Sequence, residues 1–198
     1  MMIRAALAIA AAYLVGSLPT AFLLVRWTRG ADIRDAESGS VGALNAFRAT
    51  GAGWAGWVVL VVDVAKGIAA VLLAGPGAST WLQAALAAAA VGGHNWPIWL
   101  RGRGGKGLAT AAGALTLVTP IAVPVWGVLW GLGYVISGYI VVGTLFATVL
   151  VAPAVGALAG WGFGIAMAPV GLLILVRHRE KVRRLLRGEE PRHYWRSR

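Results

Sequence analysis

Apolar residues fill four long stretches of the chain, 1–27, 54–74, 81–90 and 108–176, and polar residues are gathered between and after them at 32–48, 93–107 and 177–198. None of these stretches alternates in the period-two manner of a barrel strand, and a crossing helix needs about 20 apolar residues. The pattern therefore predicts membrane helices, packed through their many Gly and Ala residues. In the first stretch Gly16 and Pro19 predict a kink. Its Ala-rich opening mimics a cleavable leader, but hydrophobicity continues past Ala12 and arginines follow, so a first transmembrane helix is expected. The last stretch is broken by Pro120, Pro124, Pro153 and Pro169 and by glycine–aromatic pairs. Reading those breaks as turns divides it into four short crossings and gives seven helices in all.

Composition agrees with this class. Of 198 residues 59% are hydrophobic and 13% charged, with 28 Gly and 10 Trp, and the mean hydropathy is +0.74. An all-α integral membrane protein forming a single domain over 1–198, with 177–198 as a basic tail, is the expected fold. The absence of cysteine excludes disulfides, thiolate metal sites and a cysteine nucleophile. His94, His178 and His193 are far apart in sequence, so neither a metal nor a cofactor is expected.

Charge then fixes orientation. All but Arg4 and Lys66 of the 18 basic residues lie in 26–48, 101–106 and 177–198. With seven helices and the N-terminus outside, all three segments face the cytoplasm, as the positive-inside rule requires. The net charge of +11 is accounted for by topology and anionic headgroups, so the bilayer and not nucleic acid is the expected partner. Val182, Leu185 and Leu186 add an apolar helical stripe to the tail, suited to the membrane interface. Asp63 and Lys66 fall inside the second apolar stretch at i,i+3 spacing. A structural ion pair is favoured there over direct catalysis.

The segment GHNWPIWLRGRGGKGLAT, 93–110, carries the most specific chemistry. Gly102, Gly104, Gly105 and Gly107 let the backbone approach an anion, Arg101, Arg103 and Lys106 add positive charge, and an apolar run opens at Leu108 as a helix would. This is a phosphate cradle by pattern. A Walker A loop is excluded because Gly107, not Ser or Thr, follows Lys106. The competing reading is a basic loop that only sets topology. Ser38 is equally a turn or cap residue, Arg48 a helix-edge marker, His94 an interfacial hydrogen-bonding residue, His178 a headgroup contact and Glu189 a tether for the tail.

Three motifs in order resemble the bacterial acyl-phosphate:glycerol-3-phosphate acyltransferase family. They are SGSVGALN with Arg48, preceded by GSLP and DIR and followed by DVAKG; GHNWPIWL with RGGKGLAT; and RHREKVRRLLRGEE at 177–190. The resemblance implies a seven-helix enzyme of the bacterial inner membrane with a cytoplasmic active site. It would move an acyl group from acyl phosphate to the sn-1 hydroxyl of glycerol 3-phosphate, giving lysophosphatidate and phosphate. It assigns catalysis to Ser38, Arg48, Lys106 and His178, and substrate binding to Gly39, Gly42, Asn45, Arg103, Gly104, Gly105 and Gly107. No cofactor or metal is implied, and a monomer is expected. The family usually has Asn at Ser40, Thr at Leu44 and Asn at Lys181, and polar residues at Gly138 and Val141, so acceptor recognition is where a difference is expected. A catalytically altered paralogue that binds anionic lipid or regulates a partner, and a small-solute transporter, are the other classes considered. The His-x4-Asp arrangement of other glycerolipid acyltransferases is absent, since Trp99, Arg183 and Arg198 stand five residues beyond the three histidines. Acyl-CoA is therefore not the favoured donor.

Overall fold

The computed structural model describes residues 2–36 and 39–192. Among them are ten α-helices and no strand. They are α1 (Met2–Gly16), α2 (Thr20–Arg29), α3 (Ala43–Thr50), α4 (Gly53–Leu72), α5 (Thr80–Asn95), α6 (Leu108–Val118), α7 (Ala122–Ser137), α8 (Ile140–Ala159), α9 (Trp161–Arg177) and α10 (Arg179–Leu186). The helices fall into two compact units, Met1–Val118 and Thr119–Arg198.

The first unit is small inside and large outside, the reverse of a water-soluble bundle. Its closest helix contacts are made where side chains vanish. A Cβ on Gly93 of α5 would meet the backbone of Tyr13 and lie 2.9 Å from the Ser17 nitrogen of the first helix, and one on Gly67 of α4 would lie 2.9 Å from the Ala114 nitrogen of α6. Large residues such as Trp57, 68% exposed, and Ile3, 77% exposed, face outward. Lipid gives no reward for burying a large apolar chain, so close backbone approach holds such helices together.

The predicted kink is an interruption at 17–19 within one apolar span, Met2–Arg29. Pro19 has no N–H to continue the first helix, and α1 ends with the Ser17 N–H donating to the carbonyls of Tyr13 at 2.8 Å and Leu14 at 3.1 Å. Helix α2 restarts at Thr20, which places the Leu18 carbonyl inside the unit. A second cluster of Ala21, Val25, Ile33, Val41, Ala46, Val59 and Leu100 is buried under the polar segments. It anchors the 33–42 loop and the turn before the glycine-rich loop to the same apolar floor.

In the second unit α7 packs on α8 and α8 on α9. The expected four helices over 108–176 are present, but two of the proposed breaks are not breaks. Pro153 lies within α8 and Pro169 within α9. In a membrane helix a proline costs one backbone donor and a local adjustment, which neighbouring helices can accommodate. The chain reverses instead at Gly138, where φ is +74°, and at Gly160, where φ is +112°. Helix α10 leaves α9 at a bend of 52°.

By length and apolar composition three helical segments are long enough to cross a membrane, Met2–Arg29, Gly53–Leu72 and Ile140–Ala159, and a fourth qualifies if α9 and α10 count as one bent span.

Candidate active site

The first polar segment folds on itself before it reaches α3. Asp32 accepts a hydrogen bond at 2.9 Å from the Arg34 backbone N–H, which starts a short turn over Ile33–Asp35. The Arg34 guanidinium returns to the same carboxylate, Nε to Oδ1 at 2.9 Å and Nη2 to Oδ2 at 2.5 Å. This paired guanidinium holds the Asp32 carboxyl well below its ordinary range, at about 2. Asn45, on the first turn of α3, is buried, and its Nδ2 donates to the carbonyls of Ser40 at 2.9 Å, Ile33 at 3.1 Å and Ala36 at 3.2 Å. The amide thus ties the loop to the helix. Gly42 stands at the N-cap in extended conformation without a side-chain capping bond, so the start of α3 offers backbone N–H groups in the manner of an anion site.

The glycine-rich loop is set by the end of α5. The Gly105 N–H donates to the His94 carbonyl at 3.0 Å, and the Gly102 N–H to the Pro97 carbonyl at 3.0 Å. Packing leaves no room for side chains beyond this point. A Cβ on Gly104 would strike the His94 carbonyl and the Pro97 ring, and one on Gly105 would strike the His94 imidazole. Gly107, at φ +80°, enters α6 with Asn95 Oδ1 and Val91 Cγ1 each 2.8 Å from where its Cβ would be. Two requirements meet at Gly107, a left-handed backbone and absence of volume. Tyr13 fixes the same region from α1, its hydroxyl donating to the Trp96 carbonyl at 2.7 Å.

The two polar segments abut. A Cβ on Gly105 would lie 2.8 Å from the Val41 carbonyl of the first loop. The structure therefore brings the loop that carries Gly39 and Gly42, tied to α3 by Asn45, against the glycine-rich loop at Gly105. Lys106 is half-buried, and Arg103 is exposed. Arg48 occupies the last turn of α3 and is exposed. Ser38 falls outside the described residues. His178 belongs to the second unit, where it is buried at the bend after α9 with Nδ1 2.8 Å from the Ile174 carbonyl.

Below the glycine loop lies a polar cluster that sequence reading found only in part. Asp63 and Lys66 form the expected ion pair at 2.8 Å, each side chain 4% exposed. Thr20 donates to Asp63 Oδ1 at 3.3 Å, and Lys66 Nζ donates to the Leu18 carbonyl at 3.1 Å. His94 completes the cluster with Nδ1 3.8 Å from Asp63 Oδ1. It is 7% exposed, and its carbonyl accepts the Gly105 N–H.

The glycerol-3-phosphate acyltransferase family matches residues 6–188, which includes both segments of this site and all but the ends of the chain. The chain belongs to that family. A glycerol-3-phosphate acyltransferase of Anaeromyxobacter sp. (strain Fw109-5) is 39% identical over 191 residues, covering 93% of this chain and 94% of the relative. One of Parasynechococcus marenigrum is 38% identical, covering 96% and 90%. Among solved structures, the chain is similar to PlsY, an integral membrane glycerol 3-phosphate acyltransferase, in its glycerol 3-phosphate form, with TM-score 0.84 and 31% identity over 96% of each chain. The lysophosphatidic acid form gives 0.81 and 30%, over 95% of this chain and 94% of that one. The resemblance read from the three motifs is correct, and the chain is an integral membrane acyltransferase by family and fold.

Proposed function

We propose that this membrane acyltransferase uses acyl phosphate as donor and the sn-1 hydroxyl of glycerol 3-phosphate as acceptor, releasing lysophosphatidate and inorganic phosphate. The observation that carries the reading is the seating of Gly104–Gly107 on His94 and Asn95, with the Val41 carbonyl of the first motif against Gly105. A loop so closely backed presents main chain and not side chains to its ligand. With the α6 N-terminus behind it and Lys106 within it, it suits a phosphoryl group.

The chemistry asks little of a protein nucleophile. The acceptor oxygen adds to the acyl carbon, the bond from that carbon to the phosphate oxygen breaks, and phosphate departs carrying the hydroxyl proton. Phosphate is a good leaving group, so catalysis rests on holding donor and acceptor in line and stabilising anionic oxygen. In this reading Gly104, Gly105 and Gly107 shape a substrate-phosphate site, and Lys106 supplies a point charge. Arg48 and Arg103 supply guanidinium forks to phosphate oxygens, and Gly39 and Gly42 leave room for them. Asn45 acts by fixing the loop that contains Ser38. The family resemblance gives Ser38 and His178 parts in turnover, each tested by its own alanine variant. The match running without interruption from 6 to 188 supports one acyltransferase domain.

Seven crossings, an external N-terminus and a cytoplasmic site in the bacterial inner membrane follow from the basic segments and the positive-inside rule. A monomer is proposed, because the phosphate-binding loops gather within one chain.

The test is release of phosphate by the purified protein in liposomes, given palmitoyl phosphate and glycerol 3-phosphate. Acceptor-dependent release with lysophosphatidate formed, lost in Lys106→Ala and Arg48→Ala and absent with palmitoyl-CoA, is the expected result. Equal turnover with palmitoyl-CoA overturns the donor assignment. Binding of palmitoyl phosphate without product supports the altered paralogue.

A further inference from the structure

One side of the site is irregular backbone, which supporting side chains must hold in place. The loop over 33–42 carries Gly39 and Gly42 and reaches the glycine-rich loop at Val41, whose carbonyl would lie 2.8 Å from a Cβ on Gly105. Asn45 grips this loop from α3. Its other anchor is Arg34, whose contacts run in three directions. Along one edge the guanidinium meets Asp32, with Nε 2.9 Å from Oδ1 and 3.1 Å from Oδ2, and Nη2 2.5 Å from Oδ2. Its flat face lies over the Phe22 ring of α2, with Cζ 5.4 Å from the ring centre. Phe22 in turn packs on the buried cluster that includes Ala21, Val25 and Ile33. Through its backbone Arg34 stands against Gly39, where a Cβ would come within 3.1 Å of the Arg34 carbonyl. Gly39 turns there with φ +63°, its N–H donating to the Ala36 carbonyl at 2.9 Å.

Stability does not account for the choice of residue. The Arg34 and Asp32 side chains are 29% and 23% exposed, and ion pairs so open to solvent add little. A lysine would neutralise Asp32 as well. Only arginine offers a planar fork to both carboxylate oxygens and, out of the same plane, a face to an aromatic ring. The two contacts together fix the direction of the residue as well as its place, and its carbonyl is the wall on which Gly39 turns.

We propose that Arg34, clamped by Asp32 and stacked on Phe22, is a positioning residue for acyl transfer, which fixes the turn at Gly39 and with it the seating of the first loop on the glycine-rich loop. That role rests on the acyl transfer given above and holds whichever substrate phosphate each loop takes. Reacting groups must be held to within about 0.5 Å, and a loop released by about 1 Å no longer aligns them.

The experiment compares wild type, Arg34→Lys, Arg34→Gln, Asp32→Asn, Phe22→Leu and the double variant Asp32→Asn/Arg34→Gln in liposomes, each checked for folding by thermal unfolding. Steady-state kinetics are read with palmitoyl phosphate and glycerol 3-phosphate. Amide hydrogen exchange is read over 33–45 and 93–107, with 122–137 as the control.

Folded Arg34→Gln and Arg34→Lys lose about tenfold in kcat, part of what a displacement of about 1 Å costs, while each KM changes by less than about threefold. Phe22→Leu touches no charge and falls in the same direction. Exchange rises over 33–45 and 93–107 and not over 122–137. The double variant is no worse than Arg34→Gln alone, because the two residues act through one contact. Wild-type kcat in Arg34→Lys overturns the proposal, since charge alone would then suffice. A rise in KM at constant kcat also overturns it, because Arg34 would then bind substrate. Unchanged exchange over 33–45 in both arginine variants does the same. If Arg34→Gln does not fold, Arg34→Lys and Phe22→Leu decide. If wild type forms no lysophosphatidate, the assigned reaction fails while exchange over 33–45 and 93–107 still decides the clamp.

Discussion

Asn45 donates from one amide nitrogen to the Ser40 carbonyl at 2.9 Å, across a loop whose other carbonyls, Ile33 and Ala36, it also reaches. A side chain that sequence alone assigns to substrate is thus engaged with its own backbone. Asn45→Ala leaves those carbonyls without this donor inside the fold, at a cost of about 1–3 kcal/mol. Asn45→Asp costs more, since it points a carboxylate at three carbonyl oxygens. Thermal unfolding in detergent, with limited proteolysis across 33–42, is expected to show both effects in that order.

Gly105 and Gly92 form a matched pair for testing the cradle. Gly105→Ala drives a methyl group into the His94 ring and to 2.8 Å from the Val41 carbonyl, whereas a Cβ on Gly92 meets nothing within 4 Å. Turnover is expected to fall by about a hundredfold in Gly105→Ala, the scale of a displacement near 1 Å. Gly92→Ala retains turnover and gains up to about 1 kcal/mol of helix propensity. An assay with both variants at equal folded concentration checks this.

Asp32 makes a stability statement with a definite sign. Its carboxyl is held at about 2 by the Arg34 guanidinium, below its ordinary 3.8. The folded form therefore binds the proton less well than the unfolded chain, so the contribution is complete above about pH 4. It is lost progressively as pH falls from there through about 2. Thermal midpoints of wild type and Asp32→Asn, followed from neutral pH downward, are expected to converge over that window and nowhere else.

Glu189, expected from sequence to tether the tail, joins Arg184 of α10 through its backbone, the N–H donating at 2.9 Å and the carbonyl accepting at 3.4 Å, and the Glu190 side chain adds ion pairs. It pairs with Lys181 at 2.5 Å and with Arg184 at 3.5 Å, while Arg192 lies 5.0 Å over the Tyr139 ring. Glu190→Gln is expected to destabilise the second unit by up to about 1 kcal/mol, and to speed cleavage of the tail by trypsin. High salt should narrow the gap between variant and wild type. The Asn usual in the family at Lys181 would not need that carboxylate. Lys181→Asn combined with Glu190→Gln should recover part of the loss.

Period and breakers made much of the architecture readable. The kink at Gly16 and Pro19, the helix over 53–72 and the four helices after 108 follow from apolar runs punctuated by Gly and Pro. Prolines misled where lipid changes the rule. Pro153 and Pro169 look like turns to a reader who expects water to expose a broken hydrogen bond, and they lie inside α8 and α9. The glycine loop was legible as a run of missing Cβ atoms, which the backing by His94, Asn95 and Val91 demands. The backing wall was not legible. Nothing in GHN says that His94 is buried, because burial is decided by α4 and by the end of α1, more than twenty residues away in sequence. The part of Asn45 in holding the loop was not legible either, since an amide that grips a loop and one that grips a substrate are written alike.

The interruption at 17–19 gives Lys66 its acceptor. In an unbroken helix the Leu18 carbonyl would accept from the amide four residues on and point along the helix; here it accepts from the Thr20 N–H at 3.0 Å and from Lys66 Nζ at 3.1 Å. The direction of that carbonyl, and so the position of Lys66, depends on the interruption. A Pro19→Ala change that healed the helix would turn that carbonyl along the helix axis and leave Lys66, one helix away, resting on Asp63 alone.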